Sequence, residues 1–391
     1  MINKYSFLLL IAVCIGANVF GQSSQSLSGQ DTTRRAIITP VSFLTISPDA
    51  RSGALGDAGV AISPDANAIY WNPAKLAFLD KKFGLSVNYT PWLRNLVNDM
   101  SISTLNGYYK VDNNQAIGVN LTYFNLGDIQ FTDENGNPIR DFNSREFAIG
   151  GTYSRKLSNN LGLAVALRFI HSNLAGNFNF VNTVGQVKAG NTASGDVALY
   201  YNKDLNISGN DVNFAFGANL SNLGAKISYT TRDQREFIPT NLKVGTGITL
   251  NADPYNKITW ALDFNKLLVP TPNANGTRSN KTFISGALGS FGDAPDGISE
   301  ELEEVSIATG LEYWYNDLFS ARAGYFSESR DKGNRKYFTL GVGIRYQKLG
   351  FDFAYLIPQQ KGANSPLADT LRFTLHLNFG QSNQEEAPVS E

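Results

Sequence analysis

Strict alternation of apolar with small or polar residues, sustained over segment after segment, most limits what this chain can become. Leu161, Leu163, Val165, Leu167 and Phe169 alternate with Gly162, Ala164, Ala166 and Arg168, and a period of two gives a strand one apolar and one small or polar face. The pattern returns as Val212, Phe214, Phe216 and Leu220 against Asn213, Gly217 and Asn219, and as Ile258, Trp260, Leu262 and Phe264 against Thr259, Asp263 and Asn265. It returns again as Phe351, Phe353 and Tyr355 against Gly350, Asp352 and Ala354, and as Leu371, Phe373, Leu375, Leu377 and Phe379 against Arg372, Thr374, His376 and Asn378. One face suits lipid and the other a lumen.

Reading a strand wherever the alternation holds gives about fourteen, at 83–90, 100–111, 114–126, 145–157, 160–172, 193–203, 211–222, 241–251, 256–267, 304–315, 318–327, 336–347, 349–357 and 370–379. Short connections such as Asp112-Asn113, Ser158-Asn159 and Asn316-Asp317 alternate with long ones. That is the short-periplasmic, long-extracellular asymmetry of outer-membrane barrels, and a soluble sandwich has no reason for it. The fold class predicted is all-β, a transmembrane antiparallel barrel with an N-terminal hatch. The chain holds 36 Gly, 17 Tyr and 25 Phe at a mean hydropathy of −0.20, which suits a wall exposing only alternate side chains to lipid. Beyond the N-terminal segment no run of about eighteen apolar residues occurs, so no transmembrane helix is expected. Aromatic girdles are expected near strand ends, with Tyr89, Trp92, Tyr108, Tyr109, Tyr200, Tyr201, Tyr313, Tyr315, Tyr325, Tyr346 and Tyr355 as candidates.

Lys4 precedes an apolar stretch from Phe7 to Phe20, and Val19, Phe20 and Gly21 stand where a signal peptidase reads. Residues 1–21 are thus expected to be a signal peptide cleaved near Gly21, sending the chain to the outer membrane. The only cysteine, Cys14, lies inside that stretch behind Val13, not behind a small residue, so lipidation is not expected. A mature chain without thiol excludes disulfides, thiolate metal sites and cysteine nucleophiles. A net charge of −1 gives no argument for nucleic acid. Residues 22–35 read as a flexible N-terminus, 36–79 as the hatch, 80–380 as the barrel and 381–391 as a polar tail.

Within 36–79, Pro40, Pro64 and Pro73 oppose continuous ladder pairing, while Gly53, Gly56 and Gly59 permit tight turns. Gly53, Gly56, Asp57, Gly59, Trp71, Asn72 and Pro73 are the expected structural residues of the hatch, acting through turns and a buried aromatic. Arg168, Asp263, Arg345, Asp352, Arg372 and His376 fall on inward positions, where a polar network packing plug against wall is the economical reading. No enzyme, cofactor or metal site is expected: His171 and His376 are the only histidines, and the hatch glycines match neither a P-loop nor a dinucleotide fingerprint. The acidic run Glu300, Glu301, Glu303 and Glu304 lacks the spacing of a calcium loop and reads as a solvated loop flank.

The blocks GALGDAGVA at 53–61 and DANAIYWNPAKLA at 65–77 resemble the hatch signature of FadL-type outer-membrane proteins. The longer string FLTISPDARSGALGDAGVAISPDANAIYWNPAKLAF, with DPYNKITWALDFNKLLVPTP at 253–272, resembles the PorV (LptO) branch. That branch comprises the FadL/OmpP1-like proteins of the type IX secretion system of Bacteroidota. The resemblance implies a non-catalytic shuttle that takes cargo by its C-terminal signal domain from a Sov/SprA-like translocon. It further implies delivery to a PorU-like sortase and attachment complex at the cell surface. The alternative is a FadL-like transporter of hydrophobic small molecules. Such a route wants a connected apolar pocket, whereas the inward positions here carry charge.

Overall fold

The computed structural model describes residues 36–380 apart from 95–96, 98, 134, 177, 180–185, 231–234, 273–278 and 360–366. The expected signal peptide, flexible N-terminus and polar tail lie outside the described residues. Fourteen antiparallel strands close into a barrel. They are β1 (Phe83–Pro91), β2 (Ser101–Lys110), β3 (Gln115–Thr132), β4 (Pro138–Lys156), β5 (Leu161–Asn173), β6 (Gly190–Ile207) and β7 (Asn210–Gly224), followed by β8 (Asn241–Asn251), β9 (Asn256–Leu267), β10 (Val305–Tyr315), β11 (Phe319–Ser327), β12 (Lys336–Tyr346), β13 (Leu349–Pro358) and β14 (Leu371–Phe379). Each pairs with its neighbours in sequence, and β14 returns to β1, Phe83 opposite Phe379 and Tyr89 opposite Phe373. Closure leaves no free edge, which a sheet in lipid requires. Among the described residues no helix is long and apolar enough to cross a membrane.

Side chains alternate across the wall as the period of two demands: Leu167 is 75% exposed while its neighbour Ala166 is 6% exposed. The outward face carries the aliphatic and aromatic residues, and it is the lipid face. Leu262, opposite Thr246 and Thr309, stands mid-strand on that face. Leu262→Arg is expected to cost about 2–4 kcal/mol of folding stability in liposomes. Asn213→Arg, whose side chain lines a wide cavity at the end of the lumen, should cost less in the same urea titration. Equal costs would mean the two faces are misassigned.

Connections differ sharply between the barrel's ends. Residues 208–209 part β6 from β7 and 347–348 part β12 from β13, whereas 268–304 part β9 from β10 at the opposite end. β3 and β4 run to 18 and 19 residues, beyond the roughly 9–11 a tilted strand needs to cross a membrane, so their hairpin stands clear of the bilayer. The sequence reading ended these strands at 126 and 145, although past the break at Leu126 and Gly127 the alternation is taken up again by Ile129 and Phe131. The ladder nevertheless resumes past a register shift between Asn125 and Asp128, and the Arg140 guanidinium lies over the rings of Phe131 and Phe142 at 5.2 and 5.3 Å.

The barrel's core lies between the wall and residues 41–79. Leu55, Ala58 and Ile62 pack with Ala261, Ala308, Phe326, Tyr337 and Leu356; Ala66, Ile69 and Leu76 pack with Tyr108 and Ala116; Ala61 and Ala74 pack with Ala164, Ala198, Tyr200 and Ala215. The small residues of the inward phase allow this approach. At Gly324 an added Cβ would stand 2.1 Å from the backbone nitrogen of Gly56, so two backbones meet where neither could carry a side chain. Tyr108 and Tyr200 are 2% and 1% exposed, which removes them from the expected girdles. Phe78 meets the Tyr200 ring edge-on at 5.2 Å.

Candidate functional site

Residues 49–77 reach the wall through buried polar contacts at several separate places. Asp49 caps the short helix Ala50–Gly53 by accepting from the Ser52 amide at 2.8 Å and also accepts from the Trp71 indole at 2.6 Å. An N-cap carboxylate satisfies otherwise unpaired first-turn amides. Arg51, two residues on, lies against the inner wall. Its Nε and one terminal nitrogen grip Glu312 at 2.9 and 2.8 Å, and the other terminal nitrogen donates to Asp65 at 3.1 Å. Arg322 donates to Glu312 at 2.7 Å and to Asp352 at 2.8 Å. Asp352 in turn accepts from Arg345 at 2.6 Å and pairs with His376 Nε2 at 2.8 Å. Positive and negative groups thus alternate from Asp65 through the wall to Arg345, and fork-to-carboxylate pairing fixes both position and orientation. Burial alone would raise the Asp65 carboxyl, but Arg51, His376 and Lys75 outweigh it and hold it below the usual range.

A second contact centres on Asp57, which has a φ of 68° directly after Gly56 at 69°. This left-handed pair turns the chain so that Asp57 accepts from Arg372 at 2.6 Å and from the Tyr337 hydroxyl at 2.5 Å. A Cβ at Gly53 would strike the Arg372 guanidinium at 2.3 Å, and one at Gly59 would strike the Trp71 ring at 2.3 Å. At the third contact, Asp263 on β9 accepts from the amides of Gly59 and Val60 at 2.7 and 2.9 Å. Asn72 donates to the carbonyls of Val60 and Leu199 and accepts from the Ala74 amide. Pro73 opens the 3-10 turn Pro73–Phe78, where its missing N–H costs nothing. Burial pushes the Lys75 ammonium down to about 8; it donates to the Gly59 carbonyl at 2.7 Å.

The inward residues singled out from sequence thus fall into four groups. Arg345, Asp352 and His376 share one cluster; Arg372 holds Asp57; Asp263 holds Gly59 and Val60; Arg168 bonds to Asp196 at 2.8 Å and to Asn222, away from the others. Arg51, Glu312, Arg322 and Tyr337 escaped notice. The signal for Glu312 and Arg322 was present, since each is a lone charge on the inward phase, Glu312 between Leu311 and Tyr313 and Arg322 between Ala321 and Ala323. Asn67 escaped too; its side-chain oxygen accepts from Ser86, Asn88 and Asn106 at 2.6, 2.9 and 2.9 Å.

At the loop end, the acidic run is not a solvated flank. Glu301 and Glu304 pair with Lys266 at 2.9 and 2.5 Å, while Glu300 and Glu304 pair with Lys332 at 2.6 and 2.9 Å. The residues that neutralise the run are remote in sequence, which is why composition alone misjudged it. His171 sits near the same end, its Nδ1 2.7 Å from the Asn191 side chain.

A closed barrel with an apolar outer belt and its N-terminal residues packed inside defines an outer-membrane β-barrel protein. The model of the family described as type IX secretion system protein PorV matches residues 29–274, and the chain belongs to that family. Among solved structures it is similar to the toluene transporter TbuX of Ralstonia pickettii, at 11% identity over 85% of this chain and 98% of that one, with a TM-score of 0.48. It is also similar to a FadL homologue of Pseudomonas aeruginosa, at 12% identity over 86% and 99% with a TM-score of 0.46. Its likeness to the toluene transporter TodX of Pseudomonas putida is 10% identity over 84% and 96%, with a TM-score of 0.48. No curated protein matches the chain in sequence. The chain is an outer-membrane component of the type IX secretion system at the level of its family.

Proposed function

We propose that this protein is a non-catalytic shuttle of type IX secretion. It binds the C-terminal signal domain of cargo leaving a Sov/SprA-like translocon and presents it to a PorU-like sortase and attachment complex. On this reading the chain is exported by a signal peptide cleaved near Gly21, and residues 36–79 act as a hatch that keeps the lumen shut. Membership of the PorV family supports the reading most strongly. Two features of the molecule agree with it. Charged pairs and backbone contacts bind 49–77 to the wall where a small-molecule route would need apolar space, and the loop end offers extended surface for partners.

The connection 268–304 is the largest piece of that surface. Replacing it with a short Gly/Ser linker should leave a heat-resistant barrel but abolish retention of a purified cargo signal domain on immobilised protein. Retention at undiminished affinity would count against cargo docking at this end.

A further inference from the structure

Between β9 and β10 the chain folds back along the outside of the wall. The helix Ile298–Glu303 stands beside β8 and β9, and a cavity of about 490 Å³ separates them. Leu242, Val244 and Phe264 form its inner side, all on the outward phase of the wall, with Val244 directly opposite Phe264. Phe291, Ile298 and Leu302 form its outer side. The loop side is not packed shut: Phe291, Ile298 and Leu302 are 52%, 80% and 68% exposed. A segment free to collapse would bury such side chains against the wall. Ion pairs tie the segment to the wall at one end, where Lys266 grips Glu301 and Glu304, and Lys332 grips Glu300 and Glu304.

Lys266 is the next outward position on β9 after Phe264, so the charged clamp lies toward the loop end of the groove. Away from it the apolar floor continues along β9 through Leu262 and Trp260, and on β8 it resumes at Ile248 beyond Thr246. A polar rim above and an apolar floor open to the bilayer match the order of headgroup and acyl chain in the outer leaflet. We infer that the groove holds one acyl chain of an outer-leaflet lipid, with the helix Ile298–Glu303 resting at the membrane interface on its far side. Continuity with the outward face decides for lipid over a protein partner, because Leu242, Val244 and Phe264 are outward wall positions, and on the side away from the Lys266 clamp the same phase of β9 runs on through Leu262 and Trp260. The helix Phe283–Gly289 in the same connection repeats the arrangement, with Ile284 and Leu288 57% and 71% exposed, as an element lying along a membrane surface would.

A single label tests the inference. The chain's one cysteine is Cys14, so Leu302→Cys combined with Cys14→Ser gives one attachment point for a nitroxide in protein reconstituted into phosphatidylcholine vesicles. The label should collide with dissolved oxygen as often as one at Ile248→Cys in the belt, and be shielded from a water-soluble nickel chelate. Preferential collision with the chelate would show water in the groove, and shielding from both reagents would show protein there, whether the loop itself or a second copy; either overturns the inference. Val244→Trp fills the groove from the wall side, and heat-modified gel mobility checks that the barrel is intact. Oxygen collisions at residue 302 should then fall at least severalfold, whereas an unchanged rate would place the label in bulk lipid outside the groove and equally overturn the inference.

Discussion

Glu312→Gln is expected to lower the stability of the barrel by about 3–5 kcal/mol, because it removes the negative centre between two buried guanidinium groups. Glu312 is 1% exposed and Arg322 is 4% exposed, and both Arg51 and Arg322 bond to the one carboxylate. The amide keeps the shape and loses the charge, so Arg51 and Arg322 are left facing each other with only Asp65 and Asp352 to balance them. Urea titration of the protein in liposomes, followed by tryptophan fluorescence, reads the loss; Trp314 lies 5.3 Å beneath the Arg322 guanidinium and reports on the site directly. Asp65→Asn should cost less, since that carboxylate is 21% exposed and water can replace part of what it supplies. A change under about 1 kcal/mol at Glu312, the usual worth of an exposed pair, would mean that residues 49–77 are not held to the wall by this chain of charges.

Deleting residues 53–61 should make cells more permeable to small solutes while leaving the barrel folded. The deletion removes Asp57, the partner of Arg372 and Tyr337, and the amides that Asp263 accepts from. It also withdraws Leu55 and Ala58 from one of the apolar clusters against the wall. Water entering the vacated lumen can solvate the freed wall charges, so the strand ladder survives where the seal does not. Influx of a fluorescent dye too large for the intact barrel would register the effect, and on the proposed reading co-purification with the translocon should persist in part, since residues 53–61 are enclosed by the wall and offer no outer surface. Unaltered influx would show that 53–61 does not seal the lumen.

The strand plan was legible because lipid and lumen impose opposite chemistry on alternate residues, and Leu161 through Phe169 could satisfy both only as a strand. The extension of β3 and β4 was not, because the register shift between Asn125 and Asp128 breaks the alternation at Leu126 and Gly127, which reads as a strand end although Ile129 and Phe131 resume the pattern and the hydrogen-bonded ladder continues. The turn at Gly56 and Asp57 could be read from glycine spacing, but its partners Arg372 and Tyr337 are about three hundred residues away and are set by barrel closure. The acidic run shows the same limit. Charge count suggested a solvated flank, whereas its lysines arrive from β9 and from the turn before β12. Tyr108 and Tyr200 failed as girdle residues for a simpler reason: a strand-end tyrosine can fall on either phase, and theirs points inward.

The reading as a secretion shuttle is tested most directly in a strain lacking this gene, by measuring in parallel the surface display of proteins with C-terminal signal domains and growth on hydrophobic carbon sources. The predicted result is loss of display, with signal-bearing cargo retained in the cell and growth unchanged. Normal display together with lost growth on a lipid or aromatic substrate would contradict it and favour small-molecule transport.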